Sequence, residues 1–263
     1  MIIDFHTHCF ADHVAAKAVQ ALSGRSGVAP FLDGTAGCLA ASMDKAGIDK
    51  SVVLPIATKP TQVSAINDWA VKLQENPEFI PFGTIHPAFG NWKAEIVRLA
   101  RAGIRGIKFH PDYQDFFAGE PAMLPVYEEI LSRGMVIVFH AGVDIGLPPP
   151  VHCPPDHLLF LAEKFPGGKI IAAHMGGFRL WREVEDKLLG VPVYLDTSYS
   201  LFELGNEKMK DLIMRHGVER ILFGTDSPWA GQDAEMESLK AVGFSAEDWR
   251  RISGGNARVL LNL

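Results

Sequence analysis

The chain has 263 residues, of which 48% are hydrophobic, and its 25 Lys and Arg residues against 31 Asp and Glu residues give a formal net charge of -6. Neither sign of charge gathers into a long block, so the composition does not favour a nucleic-acid-binding protein. Met1 leads straight into a short apolar run with no basic leader, and no long apolar span follows, so we expect neither secretion nor membrane insertion. Three widely spaced cysteines argue against a disulfide framework, and we expect a cytoplasmic enzyme.

Short apolar or β-branched runs recur along the chain and predict eight β-strands. They cover residues 2–6, 50–56, 79–86, 104–110, 135–141, 169–175, 191–197 and 220–226. Segments with helical spacing lie between them, most clearly at 61–75, 92–102, 122–133, 156–165, 208–216 and 234–241. Gly47, Gly103 and Gly134 each stand shortly before a strand, as expected for glycine at a left-handed helix C-cap.

The predicted strands are apolar almost throughout, which is typical of a parallel sheet covered on both faces. Eight βα units in a chain of this length favour a (β/α)8 barrel, and a doubly wound open sheet is the alternative. No Gly-x-Gly-x-x-Gly turn follows an early strand, so the usual sign of dinucleotide binding is missing. No linker divides the chain, and we predict one barrel domain over residues 1–263.

The first predicted strand ends in His6-Thr7-His8. Side chains at i and i+2 leave the same face of a strand, so these two imidazoles can bind one divalent ion such as zinc. The pair alone is weak evidence, but other predicted strands also end in polar residues. These are His86, Lys108 with His110, His140, His174 and Asp226. In a barrel the carboxyl ends of the strands converge on one mouth, so the sequence predicts a site there.

Five motifs together resemble the amidohydrolase superfamily. They are HTH (6–8), GIKFHP (106–111), VFHAG (138–142), AAHMGG (172–177) and FGTDSPW (223–229). Their order is similar to that of the amidohydrolase-related branch, also called amidohydrolase 2, which contains hydrolases, lactonases and relatives of aminocarboxymuconate semialdehyde decarboxylase. The final GGNARVLLNL also resembles the closing helix of that branch. The resemblance runs from end to end and implies a metal-bearing barrel without fixing its substrate.

The resemblance implies that His6, His8, His140 and Asp226 bind a divalent metal. Zinc is the expected ion, with manganese or iron as alternatives, and one ion is favoured over two. His174 resembles a histidine that contacts the metal-bound water or substrate in one-metal members and binds the second ion in two-metal members. We therefore predict Asp226 and His174 as catalytic residues. A metal lowers the pKa of bound water toward about 7, Asp226 would take its proton, and His174 would orient the nucleophile or polarise a carbonyl.

Five further residues are candidates for substrate binding. Lys108 stands where two-metal members often carry a carboxylated lysine as a bridge, but the segment also resembles one-metal members, and we expect Lys108 to contact an anion. His110 is equally consistent with substrate binding and with capping. Arg179 suits a substrate carboxylate, although a helix-surface role fits it equally well. Tyr199 and Trp229 follow the last two predicted strands, at the rim.

Two classes of enzyme fit these residues, and we favour hydrolysis of an amide, lactone or ester in a small, carboxylate-bearing molecule. The alternative is a non-oxidative decarboxylase or hydratase acting on an unsaturated or aromatic carboxylic acid, which more arginines at the mouth would favour. A barrel that only binds a ligand would require a missing metal ligand, and none is missing. The expected partner is thus a small-molecule substrate, and the resemblance also allows a homodimer.

Overall fold

All strands of the protein are parallel. The computed structural model describes residues 1–263. The strands are β1 Ile3–Thr7, β2 Lys50–Val53, β3 Phe79–Pro81, β4 Gly83–Thr84, β5 Gly106–Phe109, β6 Val136–Phe139, β7 Ile170–Ala172, β8 Tyr194–Asp196 and β9 Ile221–Leu222. They pair in the orders β1-β2-β3 and β4-β5-β6-β7-β8-β9. Sequential neighbours in a parallel sheet are what repeated βα units produce.

The two groups of strands join into one closed barrel. β3 and β4 are halves of one strand interrupted at Phe82, whose N–H donates to the carbonyl of Val53 at 2.9 Å. On the other side, Phe5 N–H donates to the carbonyl of Phe223 at 2.7 Å, and Thr7 forms a parallel bridge with Ser227. The eight predicted strands all form, and the (β/α)8 barrel predicted from the sequence is confirmed.

Helices fill the connections between strands. They are α1 Asp12–Ser26, α2 Ala36–Ala46, α3 Val63–Leu73, α4 Trp92–Arg101, α5 Pro111–Gln114, α6 Leu124–Ser132, α7 Pro155–Lys164, α8 Trp181–Lys187, α9 Leu201–His216, α10 Gln232–Ala241, α11 Ala246–Arg250 and α12 Asn256–Leu261. The six helices predicted most clearly are α3, α4, α6, α7, α9 and α10, and the end of α2 was predicted at Gly47, whereas α1, α5, α8 and α11 were not predicted. Gly47, Gly103 and Gly134 have φ of 68°, 84° and 71°, as expected at helix ends. No helix is long and apolar enough to cross a bilayer.

Apolar side chains form two layers. An inner cluster of 13 buried residues, including Phe5, Val52, Phe82 and Val138, fills the barrel, and a larger cluster of 46 lies between the strands and the helices. Regular alternation after Phe5 would turn His6 outward. The register of β1 against β2 is irregular between Asp4 and Thr7. A bulge of this kind re-aims side chains, and it brings His6 to the inner side of the barrel.

α1 crosses the mouth of the barrel. It begins at Asp12, shortly after β1, and its far end places the guanidinium of Arg25 5.3 Å from the ring centroid of Tyr113 on α5. β5 is the fourth of the eight barrel strands and so stands three places from β1, and a 15-residue helix is roughly 22 Å long, enough to reach across that part of the mouth. Within α1, only Ala15 and Val19 are buried.

The proline-rich segment after β6 is tied down at its first residue. Gly142 N–H donates to the carbonyl of Cys153 at 3.0 Å, and Gly142 forms a parallel bridge with Phe178. Its φ is 85°, and a Cβ at this position would lie 2.1 Å from the backbone nitrogen of Phe178. Neither the backbone conformation nor the space therefore accepts a side chain.

Replacing Gly142 with alanine should destabilise the protein strongly, by about 3 kcal/mol or more, because a backbone clash adds to the cost of a left-handed conformation. The matched control is Gly134→Ala, whose φ is also positive at 71° but whose Cβ would meet nothing within 4 Å. That variant should lose only about 1 kcal/mol. Denaturant unfolding of both variants checks this, and equal losses would show that the close approach at Gly142 does not matter.

Candidate metal centre and active site

His6 is held from behind by a buried carboxylate. Its ring is 1% exposed, and its Nδ1–H donates to Oδ2 of Asp196 at 2.8 Å. Asp196 ends β8 and is fully buried. Burial opposes the ionisation of Asp196, but its contact with His6 and donation by Ser198 hold the pKa of that carboxyl below its ordinary value. The proton on Nδ1 puts the lone pair of His6 on Nε2, on the side of Asp226 and Lys108.

His8 is oriented in the same way. Its Nδ1–H donates to the carbonyl of Leu54 at 2.8 Å, and a carbonyl can only accept, so the proton of neutral His8 sits on Nδ1. The Nε2 atoms of His6 and His8 lie 3.5 Å and 3.2 Å from Oδ1 of Asp226. Burial opposes the ionisation of Asp226, but its side-chain contact with His8 and the nearby His6 outweigh burial and lower the pKa of Asp226 to about 2.

These three side chains fit a divalent ion. Two imidazole lone pairs and a carboxylate oxygen converge, and the second ring nitrogen of each histidine is fixed by its own acceptor, as is usual for metal-binding histidines. The predicted residues His6, His8 and Asp226 are therefore brought together. An ion here would take the place of the proton that His8 otherwise shares with Asp226.

Lys108 lies against this group rather than at the rim. The side chain is fully buried, and its Nζ donates to Nε2 of His6 at 3.3 Å. Burial lowers the pKa of Lys108 to about 8, while the charges of Asp196 and Asp226 oppose that shift. The neutral amine is thus accessible near neutral pH, and a substrate would have to reach the depth of His6 to contact Lys108.

His174 and His140 continue the network across the barrel. His174 Nδ1 lies 3.1 Å from the carbonyl of Ser198 and therefore donates to it. His174 Nε2 then accepts from Nδ1 of His140 at 3.0 Å. In this arrangement the lone pair of His140 is on Nε2, and that buried atom has no hydrogen-bond partner. A lone pair without a partner is consistent with the prediction that His140 binds the metal. His140 does not, however, lie in the same close group as His6, His8 and Asp226.

His140 instead groups with His110 and Asp144. His110 Nε2 lies 3.3 Å from Oδ2 of Asp144, and His140 Nε2 lies 4.0 Å from the same oxygen. The two rings are stacked, with centroids 4.0 Å apart and an 11° angle between planes. A ring nitrogen binds an ion that lies in the plane of its own ring. The planes of His110 and His140 are nearly parallel and the ring centroids are 4.0 Å apart, so one ion cannot lie in both planes. His140 is thus better placed to bind an ion without His110.

His110 also caps a helix. Its Nδ1 accepts from the backbone N–H of Tyr113 at 3.4 Å, at the start of α5. Burial, aided by the charge of Lys108, lowers the pKa of His110 well below its ordinary value. The sequence left two roles for His110, substrate binding and capping, and the structure shows the capping contact. Substrate contact by His110 stays a prediction.

The remaining predicted substrate residues lie on the rim near β8 and β9. Arg179 is already paired, since its Nε and its terminal nitrogen lie 2.8 Å and 2.7 Å from Oε1 of Glu203. Tyr199 is half-buried, with its ring 5.9 Å from that of Phe178. Trp229 follows Asp226 closely, and its backbone N–H donates to the carbonyl of Asp226 at 2.9 Å. Trp229 therefore adjoins the group of His6, His8 and Asp226, which we call the metal group, whereas Arg179 would have to leave Glu203 to bind a substrate.

Backbone strain concentrates at this end of the barrel. Seven non-glycine residues have positive φ, and five of them lie at the ends of the last three strands or just beyond. These five are His174, Met175, Arg179, Tyr199 and Asp226. Each left-handed residue costs roughly 1–2 kcal/mol, and such residues persist where the surrounding structure holds functional side chains in place.

Three residues at the mouth escaped prediction from the sequence. Asp196 stands near the end of a predicted strand in YLDTS, so its position was an available signal, but no family motif pointed to it. Ser198 was predicted as a substrate contact at the rim, and it instead contacts Asp196 and His174. Asp144 lies in the proline-rich segment and Arg25 in an unpredicted helix. No sequence signal places either at the mouth, because tertiary contacts bring them there.

A (β/α)8 barrel with imidazoles and a carboxylate at the carboxyl ends of its strands defines a metal-dependent class of barrel enzymes. The amidohydrolase family model matches residues 3–263. The chain belongs to this family, as the sequence motifs predicted, and is an enzyme of the amidohydrolase superfamily.

Individual proteins are similar to this chain in part of the sequence or in fold. Gamma-resorcylate decarboxylase from Polaromonas sp. (strain JS666 / ATCC BAA-500) is 28% identical over 121 residues, which are 39% of this chain and 37% of that protein. An uncharacterised TIM-barrel protein from Bordetella bronchiseptica has a TM-score of 0.80 at 19% identity, covering 99% of this chain and 98% of the other. A dihydroxybenzoic acid decarboxylase from Polaromonas sp. JS666, solved with manganese and the inhibitor 2-nitroresorcinol, has a TM-score of 0.72 at 17% identity, covering 100% and 97%.

The variants His140→Ala and Asp226→Asn should fold but retain little metal, because both side chains act at the mouth and outside the apolar core. The wild-type chain should carry about one equivalent of divalent ion, because three or four convergent side chains make one binding site. Plasma mass spectrometry on protein purified without added metal or chelator measures both quantities. Unchanged metal content in the two variants would disprove the ligand assignment, and two equivalents in the wild type would bring in Lys108 and His174.

Asp196→Asn should weaken metal binding about 10- to 100-fold without abolishing it, because the amide no longer fixes the Nδ1 proton of His6 as a carboxylate does. Titration against a fluorescent chelator gives the affinity. Asp186→Asn is the matched control, since Asp186 is 65% exposed and lies 3.9 Å from its partner Arg182. Equal affinities in the two variants would mean that Asp196 serves only the fold.

Proposed function

We propose that the protein is a metal-dependent non-oxidative decarboxylase of an aromatic carboxylic acid. The observation that carries the proposal is that the named relatives of known activity are decarboxylases of hydroxylated benzoic acids. It replaces the hydrolysis that we favoured from the sequence, since neither of these relatives is a hydrolase. The residues that would hold the metal in a hydrolase would hold it here as well.

The state of Asp226 also supports this choice. The contacts with His8 and His6 lower the pKa of Asp226 and so stabilise its anionic form. Hydrolysis would ask Asp226 to collect a proton and pass it to the leaving group. Decarboxylation asks only that it remain an anionic ligand, which is the state that its surroundings stabilise.

Decarboxylation needs one proton at the carbon that loses the carboxylate. His174 is the candidate donor, through Nε2, while its Nδ1–H stays on the carbonyl of Ser198 and holds the ring in place. The backbone N–H of His174 also donates to Oδ1 of Asp196 at 3.0 Å, so a protonated His174 would stand beside a carboxylate. The proton moves from Nε2 to the ring carbon, the bond to the carboxylate breaks, its electron pair stays on the ring, and carbon dioxide leaves.

His6, His8, Asp226 and, after a ring movement, His140 would hold the ion. When bound, it would polarise the oxygen atoms of the substrate and orient its carboxylate. Zinc was the ion expected from the sequence, but the relative named above was solved with manganese. We therefore propose Mn²⁺ as the first ion to test and Zn²⁺ as the second.

Manganese-loaded protein should release carbon dioxide from a phenolic acid such as 2,6-dihydroxybenzoate and leave simple lactones and esters intact. His174→Ala should lower the turnover rate roughly a hundredfold or more while keeping its metal, because general-acid catalysis is lost and the ligands stay. His13→Ala is the control, since His13 is exposed on α1 and should change neither quantity.

Coupled detection of carbon dioxide, with parallel ester and lactone assays, distinguishes the two reaction types. Hydrolysis without carbon dioxide release across a panel of phenolic acids would reject the decarboxylase. Loss of metal together with activity in His174→Ala would show that His174 is a ligand and not the proton donor.

A further inference from the structure

Asp4 lies on β1 behind the metal group, and its carboxylate joins three segments of the chain. The side chain is fully buried. Its Oδ1 accepts from the backbone N–H groups of His6 and Thr225, at 3.2 Å and 3.0 Å. Its Oδ2 accepts from the hydroxyl of Thr225 at 2.6 Å and from Nε2 of Gln232, the first residue of α10, at 2.8 Å. Each oxygen of Asp4 therefore has two donors.

The first N–H group on Oδ1 belongs to the bulge in β1. The register of β1 against β2 is irregular between Asp4 and Thr7, and β1 has one residue more than β2 over this interval. An aspartate side chain that accepts from the N–H two residues further on holds a local turn in the backbone. His6 is that residue. Asp4 therefore stabilises the bulge that brings His6 to the inner side of the barrel.

The second N–H group on Oδ1 stands beside Asp226. Thr225 immediately precedes Asp226, whose φ of 68° is unfavourable for a residue with a side chain and persists only where its surroundings hold it. The hydroxyl of Thr225 also accepts from the N–H of Ser227 at 3.1 Å. The residues on both sides of Asp226 are therefore tied to Asp4, one directly and the other through Thr225.

One oxygen atom thus links the two backbone segments that carry His6 and Asp226. These ligands come from the first and last strands of the barrel, and the N–H of Asp226 donates to the carbonyl of His6 at 2.8 Å. Their side chains approach to 3.5 Å between Nε2 and Oδ1. A binding constellation works only when its members are held within roughly 0.5 Å of the productive geometry. The place of Asp4 Oδ1 therefore bears directly on whether the two side chains can share one ion.

We propose that Asp4 is a positioning residue of the metal group, which through Oδ1 sets His6 and Asp226 at the separation at which they share one divalent ion. The inference rests on the metal ligands proposed above and not on the reaction. Oδ2 has a different task, because its donors from Thr225 and Gln232 tie Asp4 to the fold around α10. The metal group requires the place of Oδ1 rather than the charge of Asp4.

Variants of Asp4 that keep or move this oxygen separate position from charge. Asp4→Asn keeps an oxygen at the place of Oδ1, and Gln232 can turn its amide so that Oε1, which is buried without a partner, accepts from the new amide group. Asp4→Ser shortens the side chain and Asp4→Glu lengthens it, so neither places one oxygen between both N–H groups. Titration of the metal-free full chain with Mn²⁺ should give Asp4→Asn an affinity within about threefold of the wild type, and the other two variants a loss of about tenfold or more.

A second readout needs no metal. The Nδ1 proton of His6 lies in the buried 2.8 Å contact with Asp196, so its proton NMR signal should exchange slowly with water in the metal-free protein. The signal should persist in Asp4→Asn and be lost in Asp4→Ser and Asp4→Glu, in which His6 is no longer held. Gln232→Met is the matched control, because it removes a donor from Oδ2 and leaves Oδ1 untouched. It should destabilise the fold to denaturant without changing the metal affinity or the His6 signal.

The proposal is overturned if Asp4→Ser and Asp4→Glu keep both the metal affinity and the His6 signal, or if Asp4→Asn loses as much as they do, which would assign the effect to charge. Equal losses in Gln232→Met would assign it to general destabilisation, and failure of both Asp4→Ser and Asp4→Glu to fold would place Asp4 with the fold alone. A wild type that binds no metal would reject the ligand assignment, whereas the His6 signal would still decide whether Asp4 positions that ring.

Discussion

The contact between Asp196 and His6 is the constraint on which the site depends. Asp196 accepts from the His6 ring through one oxygen and from the backbone of His174 and Ser198 through the other. One carboxylate therefore sets the direction of a metal ligand and the position of the proposed proton donor. Asp196 can do both only because it ends a strand inside a closed barrel, where no water competes for its oxygens.

Parallel strands explain why most of the fold was accessible from the sequence. Strands covered on both faces must be apolar throughout, and such runs are visible without any knowledge of tertiary contacts. The polar residues that end them stand out for the same reason, which is why His6, His8 and Asp226 were found together. Closure of the barrel then follows from the number of units, although more than 200 positions separate the first and last of these residues in the chain.

The parts that escaped prediction are those decided by contacts between distant segments. α1 buries only Ala15 and Val19, so it has too narrow an apolar stripe to show helical periodicity, and its path across the mouth places Arg25 on α5. The bulge in β1 has no sequence signature, yet it decides that His6 faces inward. The stacking of His140 on His110 is likewise a matter of side-chain packing, and it separates His140 from the ligands with which the family pattern groups it.

The barrel strands and α1 differ in how firmly the fold holds them. The proposed metal ligands His6, His8 and Asp226 lie at strand ends, and the second ring nitrogen of each histidine is fixed by its own acceptor. α1, by contrast, buries only Ala15 and Val19. A helix with so little buried surface can change its sequence at small cost to the fold. The barrel therefore fixes the arrangement of these three side chains, whereas α1 can vary without disturbing them.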